Sequence, residues 1–138
     1  MTLAIPRSVI LEDLKVILSL SKIIHVESRE IRLIYARNDE GLGVAIIKRK
    51  DFKKLIEKLH ARKVEITLPG SDYLLHDFPI FLRIENKKHA FRAWDLYITI
   101  VAFRTCKLNP ETYVSKDGLM FVYDRDTEIC VLICPIKW

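Results

Sequence analysis

Residues 90–104 are the segment of this chain that leaves the fewest ways to fold. Phe91, Trp94, Leu96, Tyr97, Ile98, Ile100, Val101 and Phe103 spread around almost the whole circumference of a helix, and a helix apolar all round must be covered on more than one side. It is too short to cross a bilayer, which takes roughly 20 apolar residues, and no other apolar segment reaches that length. The pattern predicts a helix buried on a sheet.

The rest of the chain supplies candidates for that sheet. Residues 31–35 and 44–47 flank the turn residues 38–41 and read as a hairpin, with a helical alternative open for residues 29–37. Residues 64–68 alternate as a strand, Pro69 and Gly70 turn the chain, and residues 73–75 and 79–84 read as two further short strands. Residues 108–118 are polar and predict a loop. Residues 120–123 and 129–134 close the chain as two strands around an acidic turn. Two more helices are expected. In residues 8–22, Val9, Ile10, Leu14, Ile17 and Leu18 recur at helical spacing, and from Asp51 to near Lys63 Phe52, Leu55, Ile56 and Leu59 form a stripe opposite the lysines.

This order predicts an α+β fold, a mixed central sheet with packed helices. Residues 1–50 read as a small N-terminal helix-plus-hairpin lobe of α/β character and residues 51–138 as the main domain. A length of 138 residues with 50% hydrophobic content supports a real core and excludes a disordered or fibrous chain. The composition, with 30% charged residues and 4 glycines, suits a heat-adapted source. Residues 1–6 lack a basic segment leading into an apolar run, so a cytoplasmic chain without membrane attachment is expected. Cys106, Cys130 and Cys134 form no C-x-x-C pair and predict buried reduced thiols. The four histidines, His25, His60, His76 and His89, are scattered, and neither a metal site nor a cofactor is predicted. The run 129–134 carries large apolar side chains on both faces of one strand, which predicts an apolar dimer surface.

Charge is distributed unevenly. Residues 1–107 carry 20 Lys and Arg against 13 Asp and Glu, whereas residues 108–138 carry 3 against 5. The densest basic stretch, residues 48–63, includes Lys50, Lys53, Lys54, Lys58 and Arg62, opposed by Asp51 and Glu57 alone. Such a stripe is either a solvated helix face or a contact for nucleic-acid phosphates.

Residues 51–138 resemble the C-terminal, nuclease-fold domain of archaeal tRNA-splicing endonucleases. The resemblance rests on the charged helix from Asp51, the strand at 64–68, the step Gly70-Ser-Asp-Tyr73, the strand at 80–84, a helix from Trp94-Asp-Leu96 to Arg104-Thr-Cys-Lys107, and the final hairpin ending in Trp138. It implies metal-free RNA cleavage by a tyrosine, a histidine and a lysine, for which Tyr73, His76 and Lys107 are the candidates. One group takes the 2′-hydroxyl proton, one protonates the leaving oxygen and a cation steadies the phosphorane. Only Lys107 matches its position in the family. If His76 is the histidine, Tyr73 stands three residues away; if His76 takes the tyrosine's place, the histidine is missing. The resemblance therefore implies a non-catalytic subunit that supports cleavage of precursor tRNA by a catalytic endonuclease subunit. It also implies that Asp124, Asp126 and Glu128 dock as an anionic knob on that partner.

Two other readings stand beside this one. Asp72 followed by a strand ending at Glu85-Asn-Lys87 has the spacing of a metal-dependent nuclease, with carboxylates on Mg²⁺ and a lysine activating water. The other is a non-enzymatic nucleic-acid-binding or protein-interaction module using the basic stretch.

Overall fold

The computed structural model describes residues 10, 23–24, 33–37 and 42–137. The predicted helix over residues 8–22 lies outside these apart from Ile10, which is helical and buried. The elements in chain order are β1 (Ile23–Ile24), β2 (Leu33–Arg37), β3 (Leu42–Ile46), α1 (Arg49–Lys58), β4 (Arg62–Val64), α2 (Ser71–Leu75), β5 (Pro79–Ile84), β6 (Lys87–Arg92), α3 (Ala93–Thr105), β7 (Glu111–Val114), β8 (Met120–Tyr123) and β9 (Ile129–Ile133). Seven of the strands form one sheet in the order β1-β2-β3-β9-β8-β7-β4, and β5 pairs with β6 as a separate ribbon.

The α+β class holds, with helices on a central sheet. A mixture of strand directions was expected, yet every pairing among the described strands is antiparallel. β2 and β3 form the expected hairpin. β3 in turn pairs along its whole length with β9, from Leu42↔Ile133 to Ile46↔Ile129, so the central sheet runs through residues on both sides of Asp51.

Side chains alternate between the two faces of this sheet, as the two-residue period of a strand requires. Val114, Met120, Val122, Ile129, Val131 and Ile133 pack on one face against Phe91, Leu96, Ala102 and Phe103 of the ribbon and α3. Ala45, Phe121, Tyr123, Cys130 and Leu132 pack on the other against Phe52 and Leu55 of α1. β9 lies between β3 and β8 with both faces covered. That accounts for its unbroken apolar run and corrects the expected dimer surface, since Ile129 to Ile133 are at most 5% exposed within the single chain. Cys106 and Cys130 are buried and in no disulfide, as expected, but Cys134, one residue past β9, is exposed.

Several local expectations are corrected. Residues 73–75 are helical, because the Gly70 carbonyl accepts from the N–H groups of Tyr73 and Leu74 and opens α2. The first part of the expected helix 90–104 belongs to β6, whose Ala90 and Phe91 pair with Phe81 and Ile80, and α3 begins only at Ala93. Residues 111–114 are the strand β7 rather than loop, and β4 ends at Val64. α1 ends at Lys58, earlier than expected, because Arg62 already pairs with Val114. No helix among the described residues is long and apolar enough to cross a membrane.

Candidate nucleic-acid interface

α1 carries Phe52 and Leu55 into the core, with Ile56 and Leu59 half-buried beside them. The remaining positions are left to water, and the sequence fills most of them with cations. Lys50 and Lys53, three residues apart, fall on one flank of the helix, where they line a cleft of about 490 Å³ together with Arg49, Ile56, Glu57, Tyr113 and Arg125. Among the described residues neither Lys50 nor Lys53 makes an ion pair. Lys54 and Lys58 are exposed on the same helix but do not line the cleft. Arg62 is turned elsewhere, its guanidinium 3.4 Å from Glu85.

Aromatic rings close the floor. Phe52 stacks flat on Tyr123, with centroids 3.8 Å apart and planes 9° from parallel, and meets Tyr113 edge-on at 5.5 Å. The Tyr123 hydroxyl donates to the Ile47 carbonyl at 2.6 Å. Burial pushes its phenol up to about 12, so the floor is uncharged at neutral pH. At the sheet side Tyr113 donates to Glu111 Oε2 at 2.7 Å, and Arg125 donates to the same oxygen at 3.1 Å and to the Tyr113 hydroxyl at 3.4 Å. The Tyr113 hydrogen bond, followed by Arg125 and Lys63, holds the Glu111 carboxyl below the usual carboxylate range. Among the described residues, Arg49, Lys50, Lys53 and Arg125 thus line the cleft with Glu57 as its one carboxylate. The basic run pointed to Lys50 and Lys53, whereas Tyr113 comes from β7 and Arg125 from the turn after β8, both distant in sequence, and the sequence reading missed them.

The other candidates are placed apart. Tyr73 lies in α2 and His76 just after it, both around Phe78 at 6.0 and 5.2 Å. The Trp94 indole N–H donates to the Leu74 carbonyl at 2.9 Å, which ties α2 to the start of α3. Lys107 follows the far end of α3, and a helix of 13 residues is about 20 Å long. The tyrosine, histidine and lysine do not meet. Asp72 lies in α2 and Glu85 just past the end of β5. Glu85 and Lys87 share the tip of the β5–β6 ribbon. Among the described residues no group of three or more His, Cys, Asp or Glu side chains is arranged to hold a metal ion.

The acidic turn is mostly structural. Asp124 was expected to be exposed but is only 5% so. Its Oδ2 accepts from the Thr127 N–H at 2.9 Å and the Thr127 hydroxyl at 2.6 Å. Glu128, half-buried, accepts from the Arg49 N–H. Asp126 alone of the three is exposed. No protein family, no curated protein and no solved structure matches the chain.

Proposed function

We propose that this protein binds the phosphate backbone of nucleic acid through the α1 cleft, without itself cutting the strand. One observation carries the reading: Lys50 and Lys53 converge with Arg49 and Arg125 on a single concave surface where, among the described residues, Glu57 is the one carboxylate. Cations in excess over carboxylates on a concave surface concentrate positive potential and release counterions when a polyanion binds. The net charge of +5 acts in the same direction at longer range. The separation of Tyr73 and His76 from Lys107 speaks for binding rather than chemistry.

Precursor tRNA as the ligand and a catalytic endonuclease subunit as the partner are the narrower reading that the resemblance implies. Of the anionic knob it requires, Asp126 is exposed and Asp124 is committed to the fold, so the geometry supports this reading less than it supports the cleft. Titration of a fluorescent single-stranded RNA followed by anisotropy, at several salt concentrations, tests the broader proposal. The logarithm of affinity should fall linearly with that of salt, with a slope of about 0.7 per phosphate contacted. Lys50→Glu with Lys53→Glu should weaken binding and flatten that slope while the circular dichroism spectrum stays unchanged. Unaltered affinity in the double variant would remove the proposal.

A further inference from the structure

Phosphate binding uses the cations of the cleft and leaves its rings without a role. Tyr113 lies on the α1 face of the sheet, half-buried beside Phe52 and Ile56. Its ring is held from both sides of its hydroxyl, which donates to Glu111 and accepts from Arg125. A ring already fixed in this way loses little freedom when a ligand stacks on it. The cavity of about 490 Å³ falls in the range of roughly 300 to 1,000 Å³ typical of small-molecule sites, and contact with phosphates alone needs no cavity of that size. A basic rim around an apolar, ring-lined cleft matches a molecule that is flat and aromatic at one end and anionic at the other. A nucleotide has that composition.

We infer that the cleft takes one unpaired base against Tyr113, with its phosphates among Lys50, Lys53 and Arg125, so that the protein prefers single-stranded over duplex nucleic acid. The inference rests on the reading of this cleft as a nucleic-acid site. Bases inside a duplex stack on one another and present only their edges, whereas an unpaired base offers its face to an aromatic side chain. The strand, rather than a free nucleotide, is the ligand, because the exposed Lys54 and Lys58 extend the cationic surface along α1 beyond the cleft.

The test compares single-stranded and duplex RNA of equal phosphate number at one salt concentration. The single strand should bind about tenfold more tightly, the typical worth of one stacked base. Tyr113→Ala should erase the difference by weakening the single strand alone, and Tyr113→Phe, which keeps the ring but loses the hydroxyl that restrains it, should retain most of it. A strand carrying 2-aminopurine should lose fluorescence on binding the unaltered protein, a readout that needs no variant to fold. Equal affinities together with an unquenched probe would overturn base insertion. If Lys50→Glu with Lys53→Glu still abolished binding in that case, the phosphate reading would stand without it. Adenosine monophosphate displacing the strand at a similar nucleotide concentration would instead make this a free-nucleotide site and overturn the strand preference.

Discussion

The Glu128 carboxylate accepts a hydrogen bond from the backbone N–H of Arg49 at 2.9 Å, so the turn between β8 and β9 caps the first residue of α1. Lys48, at the N-cap position, makes no side-chain capping bond. Glu128 therefore does from a distance what a neighbouring Ser or Asp does at most helix starts, and its charge also complements the helix dipole. Glu128→Ala should lower stability by about 1 kcal/mol, measured by urea unfolding. Because α1 carries Lys50 and Lys53, the same variant should weaken RNA binding although Glu128 is itself an anion. Tighter binding, as simple removal of a negative charge would give, would refute the capping role.

Asp124 and Thr127 form the second support of that turn. Both are buried, and one carboxylate oxygen takes both Thr127 donors. Asp124→Ala strands those donors and should cost roughly 1 to 3 kcal/mol, whereas Asp126→Ala should cost almost nothing. Equal midpoints in chemical unfolding for the two variants would show that the turn holds without this bond pair.

How much of this was legible depends on how local each signal is. β8 spans the residues expected of it, and β5 does too, because a short apolar run bounded by turn residues needs no long-range information. Residues 73–75 form a run too brief to tell helix from strand, and the Gly70 carbonyl decided it. β7 and β6 were missed because polar residues dominate half of each, Glu111 and Thr112 in one and Lys87, Lys88 and His89 in the other. In the site, the α1 lysines were visible as a charge run, but Tyr113 reaches them only through the pairing of β7 with β8. The burial of Asp124 had a local signal: a Thr three residues after an Asp is a common side-chain turn.

Gly118 precedes β8 with φ at +92°, and a Cβ there would stand 2.5 Å from His89 Nδ1. Gly118→Ala should therefore destabilise by more than about 1 kcal/mol, from backbone strain and overlap together. His89→Ala in the same chain should recover the steric part and leave the backbone part. A double variant no more stable than Gly118→Ala would place the whole cost in the backbone.

The three thiols should separate cleanly by reactivity. Cys134 is exposed while Cys106 and Cys130 are buried, so Ellman's reagent should titrate one thiol in the native protein and the others on unfolding. Partial burial, and then the Asp95 carboxylate nearby, push the Cys134 thiol above its usual 9.0. Its reaction should be slow at neutral pH and still accelerating above that value. Cys134→Ser should abolish the native reaction; a residual fast thiol would contradict the burial of the other two.

Glu111 supplies the last prediction, through the direction of its titration. Its carboxyl lies below the ordinary 4.5 when folded, chiefly because the Tyr113 hydroxyl donates to the charged form. A group with a depressed folded value stabilises the protein fully above its unfolded value, and that contribution disappears as the pH falls through the folded one. Thermal midpoints should therefore decline as the pH drops below 4.5, and part of this decline should be absent in Tyr113→Phe. Lys63 lies 3.5 Å from the other carboxylate oxygen, with more than half of its side chain exposed, where solvent screens its charge. Lys63→Ala should flatten the acid limb less than Tyr113→Phe does. If the order is reversed, the hydroxyl does not anchor this carboxylate, and the fixed ring on which a base is inferred to stack loses its main restraint.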